Sequence, residues 1–174
     1  GILTKKWLLP KETQLYWTAR SYIKRKNIPE GRSLIYKLER LNPNSSHLPI
    51  LFDTFASRYM LDSDIKKAQF WWNRLLKKFP KHRLAPKSAW RLAWSHKKNN
   101  NVKDALLYLK SGLNITIYNS EVQAKMLYWQ GKLLRETGQN DLADKSFKRL
   151  IINKPNTYYG MRFLSENNIP ERLL

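Results

Sequence analysis

Large apolar side chains along this chain return at intervals of three and four residues, and alternation with a period of two is nearly absent, so helix is the expected element throughout. The helices repeat. Ala19, Ala56, Ala93 and Gly131 recur at intervals of 37, 37 and 38, and Gly31, Ala68, Ala105 and Ala143 recur at the same three intervals. Four residues after each member of the second series stands a large apolar residue: Ile35, Trp72, Leu109 and Phe147. Three of the four units close on proline, at Pro43, Pro80 and Pro155, and Ile117 takes that place in the remaining one. The pattern predicts one helix hairpin per unit. A small residue on the first helix lets the second approach closely, a small residue on the second returns the favour, and each hairpin keeps an apolar face for its neighbour.

Turn chemistry sets the boundaries. Asn27-Ile28-Pro29, Asp62-Ser63-Asp64, Asn99-Asn100-Asn101 and Thr137-Gly138-Gln139-Asn140 are expected between the two helices of each unit. Asn42-Pro43-Asn44, Pro80-Lys81-His82 and Lys154-Pro155-Asn156 are expected between units, and a ninth helix from about Thr157 to about Asn167. The division is a lead-in, 1–11, followed by one α-solenoid domain, 12–174. Its units are 12–48, 49–85, 86–123 and 124–156, with a partial fifth at 157–174. An unfinished unit exposes apolar surface, which predicts further protein after Leu174, and a first residue that is Gly1 rather than Met suggests a processed or excised piece.

The repeat resembles the tetratricopeptide pattern, and the second unit matches it best, through Phe52, Phe55, Ala56, Tyr59, Ala68, Trp72 and Pro80. Leu15, Thr18, Ala19 and Tyr22 serve the first unit, Ala89, Leu92, Ala93 and His96 the third, and Leu127, Gln130, Gly131 and Leu134 the fourth. The resemblance implies an all-α fold, a right-handed superhelix of antiparallel helix pairs with about nine helices. Units of 37 or 38 exceed the usual length of about 34, so a looser solenoid of the same type is expected.

Three further segments point to a narrower family. Leu127-Tyr128-Trp129-Gln130-Gly131-Lys132, Asn140-Asp141-Leu142-Ala143 and Pro155-Asn156-Thr157-Tyr158-Tyr159-Gly160 resemble the helical superhelix of soluble lytic murein transglycosylases. Trp17 with Ala19 and Arg20, and Ala89 with Trp90 and Ala93, look like earlier copies. That resemblance implies a periplasmic protein acting on peptidoglycan, whose single catalytic glutamate lies in a separate lysozyme-like domain. In this chain the nearest counterpart, Ser165-Glu166, reverses the family's order and stands beside the polar turn Asn167-Asn168-Ile169-Pro170. An apolar pocket that would raise a carboxyl pKa is not evident there. The expectation is therefore a non-catalytic superhelical region, with no cofactor.

Composition narrows the chemistry further. The chain has 174 residues and no cysteine, so disulfides, thiolate zinc sites and cysteine nucleophiles are excluded. His47, His82 and His96 lack metal-pair spacing, the glycines form no phosphate loop, and no apolar run approaches the roughly 18 residues of a membrane span. Lys and Arg number 33 against 13 Asp and Glu, a formal charge of +20. From Ile65 through Lys103 there are 12 Lys and Arg and no acid. This stretch reads either as a solvated face or as a surface for a polyanion.

In helical solenoids of this type the second, fifth, sixth and ninth positions of each first helix tend to face inward. Counted from Glu12, Pro49, Pro86 and Ala124, these are Thr13, Tyr16, Trp17 and Arg20, then Ile50, Asp53, Thr54 and Ser57. The third unit contributes Lys87, Trp90, Arg91 and Trp94, and the fourth Lys125, Tyr128, Trp129 and Lys132. Aromatic and cationic residues interleave, a combination that stacks on rings and pairs with carboxylates or phosphates. The competing expectation is that some of these aromatics are inter-helix core. Candidate partners are peptidoglycan strands or stem peptides, or an acidic protein partner held by a Lys87, Arg91 and Lys125 clamp. RNA binding is allowed by net charge but supported by no recognised motif.

Overall fold

The computed structural model describes residues 9–115 and 120–168. Among them are nine α-helices and no strand, the all-α architecture that the repeat predicts. They are α1 (Lys11–Lys24), α2 (Ile28–Leu41), α3 (His47–Leu61), α4 (Ile65–Lys78), α5 (Ala85–Lys98), α6 (Val102–Leu113), α7 (Ser120–Glu136), α8 (Asn140–Asn153) and α9 (Tyr158–Glu166). Ile117, residues 1–8 and the tail from Ile169 lie outside the described residues.

The same backbone device closes each hairpin. Lys26, Ser63, Asn100 and Gly138 have φ of 65, 60, 56 and 76°, so the residue just past each first helix adopts the left-handed conformation. The following amide then reaches back to a carbonyl of the last turn: Asn27 to Tyr22, Asp64 to Tyr59, Asn101 to His96 and Gln139 to Leu134, at 2.8–3.0 Å. This is the Schellman closure of a helix C-terminus. The residue whose amide closes one helix also precedes the next, and two of the four cap it. The Asp64 carboxylate accepts from the Lys67 amide at 3.1 Å, and the Asn101 side chain accepts from the Asp104 amide at 3.2 Å. Ile28, Pro29 and Asn140, expected in turns, belong to helices. Pro29 sits in the first turn of α2, where its missing N–H breaks no bond.

Two compact units divide the chain, Gly1–Leu75 and Leu76–Leu174. In the first, α1, α2 and α3 pack on one another, and Ala19, Ile35, Phe52, Phe55, Ala56 and Leu75 are among its fully buried residues. Trp71 closes this core from α4, with its ring 4.9 Å from Phe55 and 5.4 Å from Phe52. Arg74 pairs with Glu39 and lies over the rings of Tyr36 and Phe52.

In the second unit α5 packs on α6, α6 on α7, α7 on α8, and α9 on both α7 and α8. First helices also meet first helices, α5 with α7 and α7 with α9, so their outward stripes share one side of the unit. Gly131 sets the spacing between α7 and α8, because a Cβ there would lie 2.5 Å from Cε1 of the Phe147 ring. At the start of α9, Thr157 caps the helix by accepting from the Gly160 amide at 3.1 Å, and Gly160 packs against the carbonyls of Lys154 and Pro155.

Candidate functional site

In the first unit the candidate residues stand on α1. Tyr16 and Trp17 meet edge to face at 5.0 Å, and the Arg20 guanidinium lies 5.5 and 5.2 Å from their centroids. Tyr16 is not presented to a ligand. It is buried, stacked at 4.4 Å on His47, with its hydroxyl accepting from Arg20 at 2.9 Å. Trp17, 54% exposed, and Arg20 border a groove of about 680 Å³ whose opposite wall is α3, through Asp53, Thr54 and Ser57. Five of the eight inward positions assigned to this unit therefore line one groove. Two of its charged groups have partners already: Asp53 accepts from the Trp72 indole at 3.1 Å, and Arg58 pairs with Asp62.

The second unit assembles a denser site. Lys87, Trp90, Arg91 and Trp94 follow one another on α5 at three, four and seven residues, which places them on one helix face, and Lys125, Tyr128, Trp129 and Lys132 repeat that spacing on α7. Trp90 and Trp94 stack at 5.3 Å with 25° between planes, and Trp129 meets Trp94 edge-on at 4.9 Å. Three half-buried indoles thus form one wall across two helices. Lysine amines lie on it. Lys125 Nζ is 4.5 Å from the Trp90 centroid, and Lys97 Nζ is 5.0 Å from Trp94 and 4.8 Å from Trp129.

Burial, and after it the charges of Lys87 and Arg91, push the Lys125 amine below its ordinary pKa of 10.5, against the opposing pull of Glu121. Among the described residues no carboxylate forms an ion pair with Lys87, Lys97 or Lys125. Crowded like charges beside apolar rings favour an incoming anion, because a carboxylate there relieves the repulsion and is attracted through surroundings that screen less than bulk water.

Tyr128 departs from its expected place. It is fully buried, 5.2 Å from the Tyr159 ring, and its hydroxyl donates to both oxygens of Glu166 at 3.0 and 2.8 Å. Burial first, and the bond to Glu166 second, push the phenol pKa up to about 12. Tyr128 is therefore core, joining α7 to α9, and the half-buried aromatic wall is made by its neighbour Trp129 instead. Lys97 is the residue that the inward register missed. It stands one turn beyond Trp94, and its long stem returns the amine over the indoles.

Glu166 ends α9 and is held below the usual carboxylate range, chiefly by the bond from Arg162 at 2.8 Å and also by Tyr128. A general acid needs the opposite shift. Among the described residues no group of three or more His, Asp or Glu comes together to hold a metal, and no helix is long and apolar enough to cross a membrane.

The tetratricopeptide repeat family profile matches residues 125–157, from Lys125 through α8 to the Thr157 cap. No curated protein matches the chain. Among solved structures it is similar to pilF of Pseudomonas aeruginosa, at 12% identity and TM-score 0.55, covering 90% of this chain and 69% of that one. It is also similar to the nearly identical TPR-like repeats of a putative kinesin light chain of Podosopora anserina, with 13% identity in two structures. One, of a point variant, gives TM-score 0.54 over 95% of this chain and 92% of that one, and the other gives 0.51 over 92% and 88%. At these identities the likeness is one of fold. The chain carries a tetratricopeptide repeat match at residues 125–157 within an all-α, tetratricopeptide-like helical repeat fold.

Proposed function

We propose that this chain is a protein-interaction scaffold whose α5/α7 surface grips an acidic peptide segment or a free C-terminal carboxylate. Lys87, Arg91 and Lys125 form the clamp, Lys97 adds a fourth cation, and the indoles of Trp90, Trp94 and Trp129 support the flanking side chains. The observation that carries this reading is the Lys125 amine, 4.5 Å over Trp90 and crowded by Lys87 and Arg91. The family match supports it too, since repeats of this kind serve as protein-binding modules.

Peptidoglycan stem peptides offer carboxylates of the same chemistry, and that occupant would make the chain the non-catalytic superhelical region of a periplasmic cell-wall enzyme. It rests on the three sequence segments alone; neither the family match nor the three solved structures above add to it. One paired assay separates the occupants. Tryptophan fluorescence is titrated with a Glu-rich peptide ending in a free carboxylate, and co-sedimentation with purified sacculi is measured alongside. Saturable quenching by the peptide that Lys125→Met removes is the expected result. Sedimentation with sacculi, without any response to the peptide, would move the reading to the cell wall.

A further inference from the structure

A second surface lies on the other layer of the second unit. Between α6 and α8 runs a groove of about 540 Å³, a size that admits several large side chains. Leucines line it: Leu106, Leu107, Leu134 and Leu142, of which Leu107 is 59% and Leu142 47% exposed. Large apolar side chains left this open on adjacent elements mark a binding surface when they share a patch.

The charge lining this groove is mostly positive. Lys103 and Lys110 stand on α6 and Lys145 and Arg149 on α8, all exposed, and among the described residues none is in an ion pair. One acid, Asp104, shares the lining, but it is engaged elsewhere. Its Oδ2 accepts from the Asn101 side-chain amide at 2.7 Å and lies 3.7 Å from His96 Nδ1. The four cations therefore face outward uncompensated, around an apolar floor.

We propose that the α6/α8 groove docks an acidic amphipathic segment of a partner protein, with large apolar side chains seated between Leu107 and Leu142 and its Asp or Glu residues paired with Lys103, Lys110, Lys145 and Arg149. The commitment to an acidic occupant follows from charge complementarity: a basic or neutral amphipathic segment would bury its apolar face equally well but leave four like charges facing it. This surface is separate from the α5/α7 clamp and does not depend on it.

The test uses three fluorescein-labelled peptides of about 18 residues, long enough for five helical turns: an acidic one with Leu at helical spacing and Glu between, its Lys-for-Glu counterpart, and its Ala-for-Leu counterpart. Anisotropy against the whole chain carrying Lys87→Ala and Lys125→Ala, which disables the α5/α7 clamp for acidic peptides, is expected to show the acidic amphipath binding at least tenfold more tightly than either counterpart. Adding Leu107→Glu with Leu142→Glu in that background should weaken it at least tenfold. Equal binding of the acidic and basic amphipaths overturns the proposal, and so does loss of all binding of the acidic amphipath in the clamp-disabled background. Should the leucine variant fail to fold, the wild-type chain is photo-crosslinked to the acidic peptide bearing benzoylphenylalanine at one Leu position. Adducts within 102–113 and 140–153 support the proposal, and adducts confined to 85–98 or 120–129 overturn it.

Discussion

The hydroxyl of Tyr128 donates to both carboxylate oxygens of Glu166, 38 residues further along, at 3.0 and 2.8 Å. This contact joins the first helix of the fourth hairpin to α9, and it makes Glu166, which the sequence already argued against as a catalytic acid, a structural acceptor. Tyr128→Phe keeps the ring and removes the donor, so thermal unfolding should show a loss of about 1 kcal/mol, with acidic-peptide binding unchanged.

The pH dependence of that link has a definite sign. Glu166 is depressed from its ordinary value of 4.5, so its contribution is complete above that value and is lost as pH falls through the lower folded-state pKa. Tyr128 is raised from 10.0 to about 12, so the phenol stays protonated and the contribution persists through about pH 10. Urea titrations at about pH 7 and about pH 3 should show the difference between wild type and Tyr128→Phe shrinking at the acid end. A constant difference would separate it from Glu166.

Gly131 and Gly160 are both sites of close approach, but they differ in what stands opposite. The Cβ of Gly131→Ala would meet the Phe147 ring at 2.5 Å, and overpacking of this kind costs about 1–3 kcal/mol. At Gly160 the obstacles are the backbone carbonyls of Lys154 and Pro155, which no rotamer change can move aside. Gly160→Ala should therefore be the more damaging of the two in chemical denaturation.

Ser63 carries φ of 60° in the position that glycine holds in the fourth hairpin, where Gly138 has φ of 76°. Relieving a left-handed non-glycine residue gains about 1–2 kcal/mol, offset in part by the greater unfolded-state freedom of glycine. Ser63→Gly is expected to raise the unfolding midpoint, and Gly138→Ala to lower it. The reverse order would mean that these turns are not under the strain their dihedrals imply.

The hairpins were readable because close helix contact demands small residues, and that demand leaves a period in the sequence: Ala19, Ala56, Ala93 and Gly131 on one helix, Gly31, Ala68, Ala105 and Ala143 on the other. Several positions of the inward register come together: Trp17, Arg20, Asp53, Thr54 and Ser57 share one groove and Trp90, Trp94 and Trp129 one wall. Tyr128 escaped it because its burial depends on α9, a packing partner that periodicity within α7 cannot reveal. Lys97 escaped it because a flexible stem carries its amine back by a full turn from its own backbone position. The left-handed turns at Lys26 and Ser63 were hidden because neither residue type advertises that conformation.

Lys125 links stability to binding. Its folded-state pKa is depressed, so below the ordinary lysine value the folded protein holds its proton less firmly than the unfolded chain does, and the group opposes folding at neutral pH. The penalty fades as pH rises through the depressed pKa. Lys125→Met keeps the stem over Trp90 and removes the charge, so it should unfold at a higher temperature than wild type at about pH 7, with a smaller gain at about pH 10. Lower stability at neutral pH would mean that the amine has a countercharge.

The proposed carboxylate clamp of Lys87, Arg91 and Lys125, backed by indoles, is tested by anisotropy of a labelled Glu-rich peptide with a free C-terminus. Four proteins are compared across a salt series: wild type, Lys87→Ala with Lys125→Met, Trp90→Ala with Trp94→Ala, and Lys77→Ala with Lys78→Ala, whose lysines are exposed in the last turn of α4. At least tenfold weakening is expected in the clamp pair, and a clear loss in the folded tryptophan pair. The α4 pair should lose less than threefold, all of it at low salt, where exposed charges are least screened. Equal weakening by the clamp pair and the α4 pair, vanishing for both at high salt, would contradict the clamp and leave only nonspecific attraction to a basic surface.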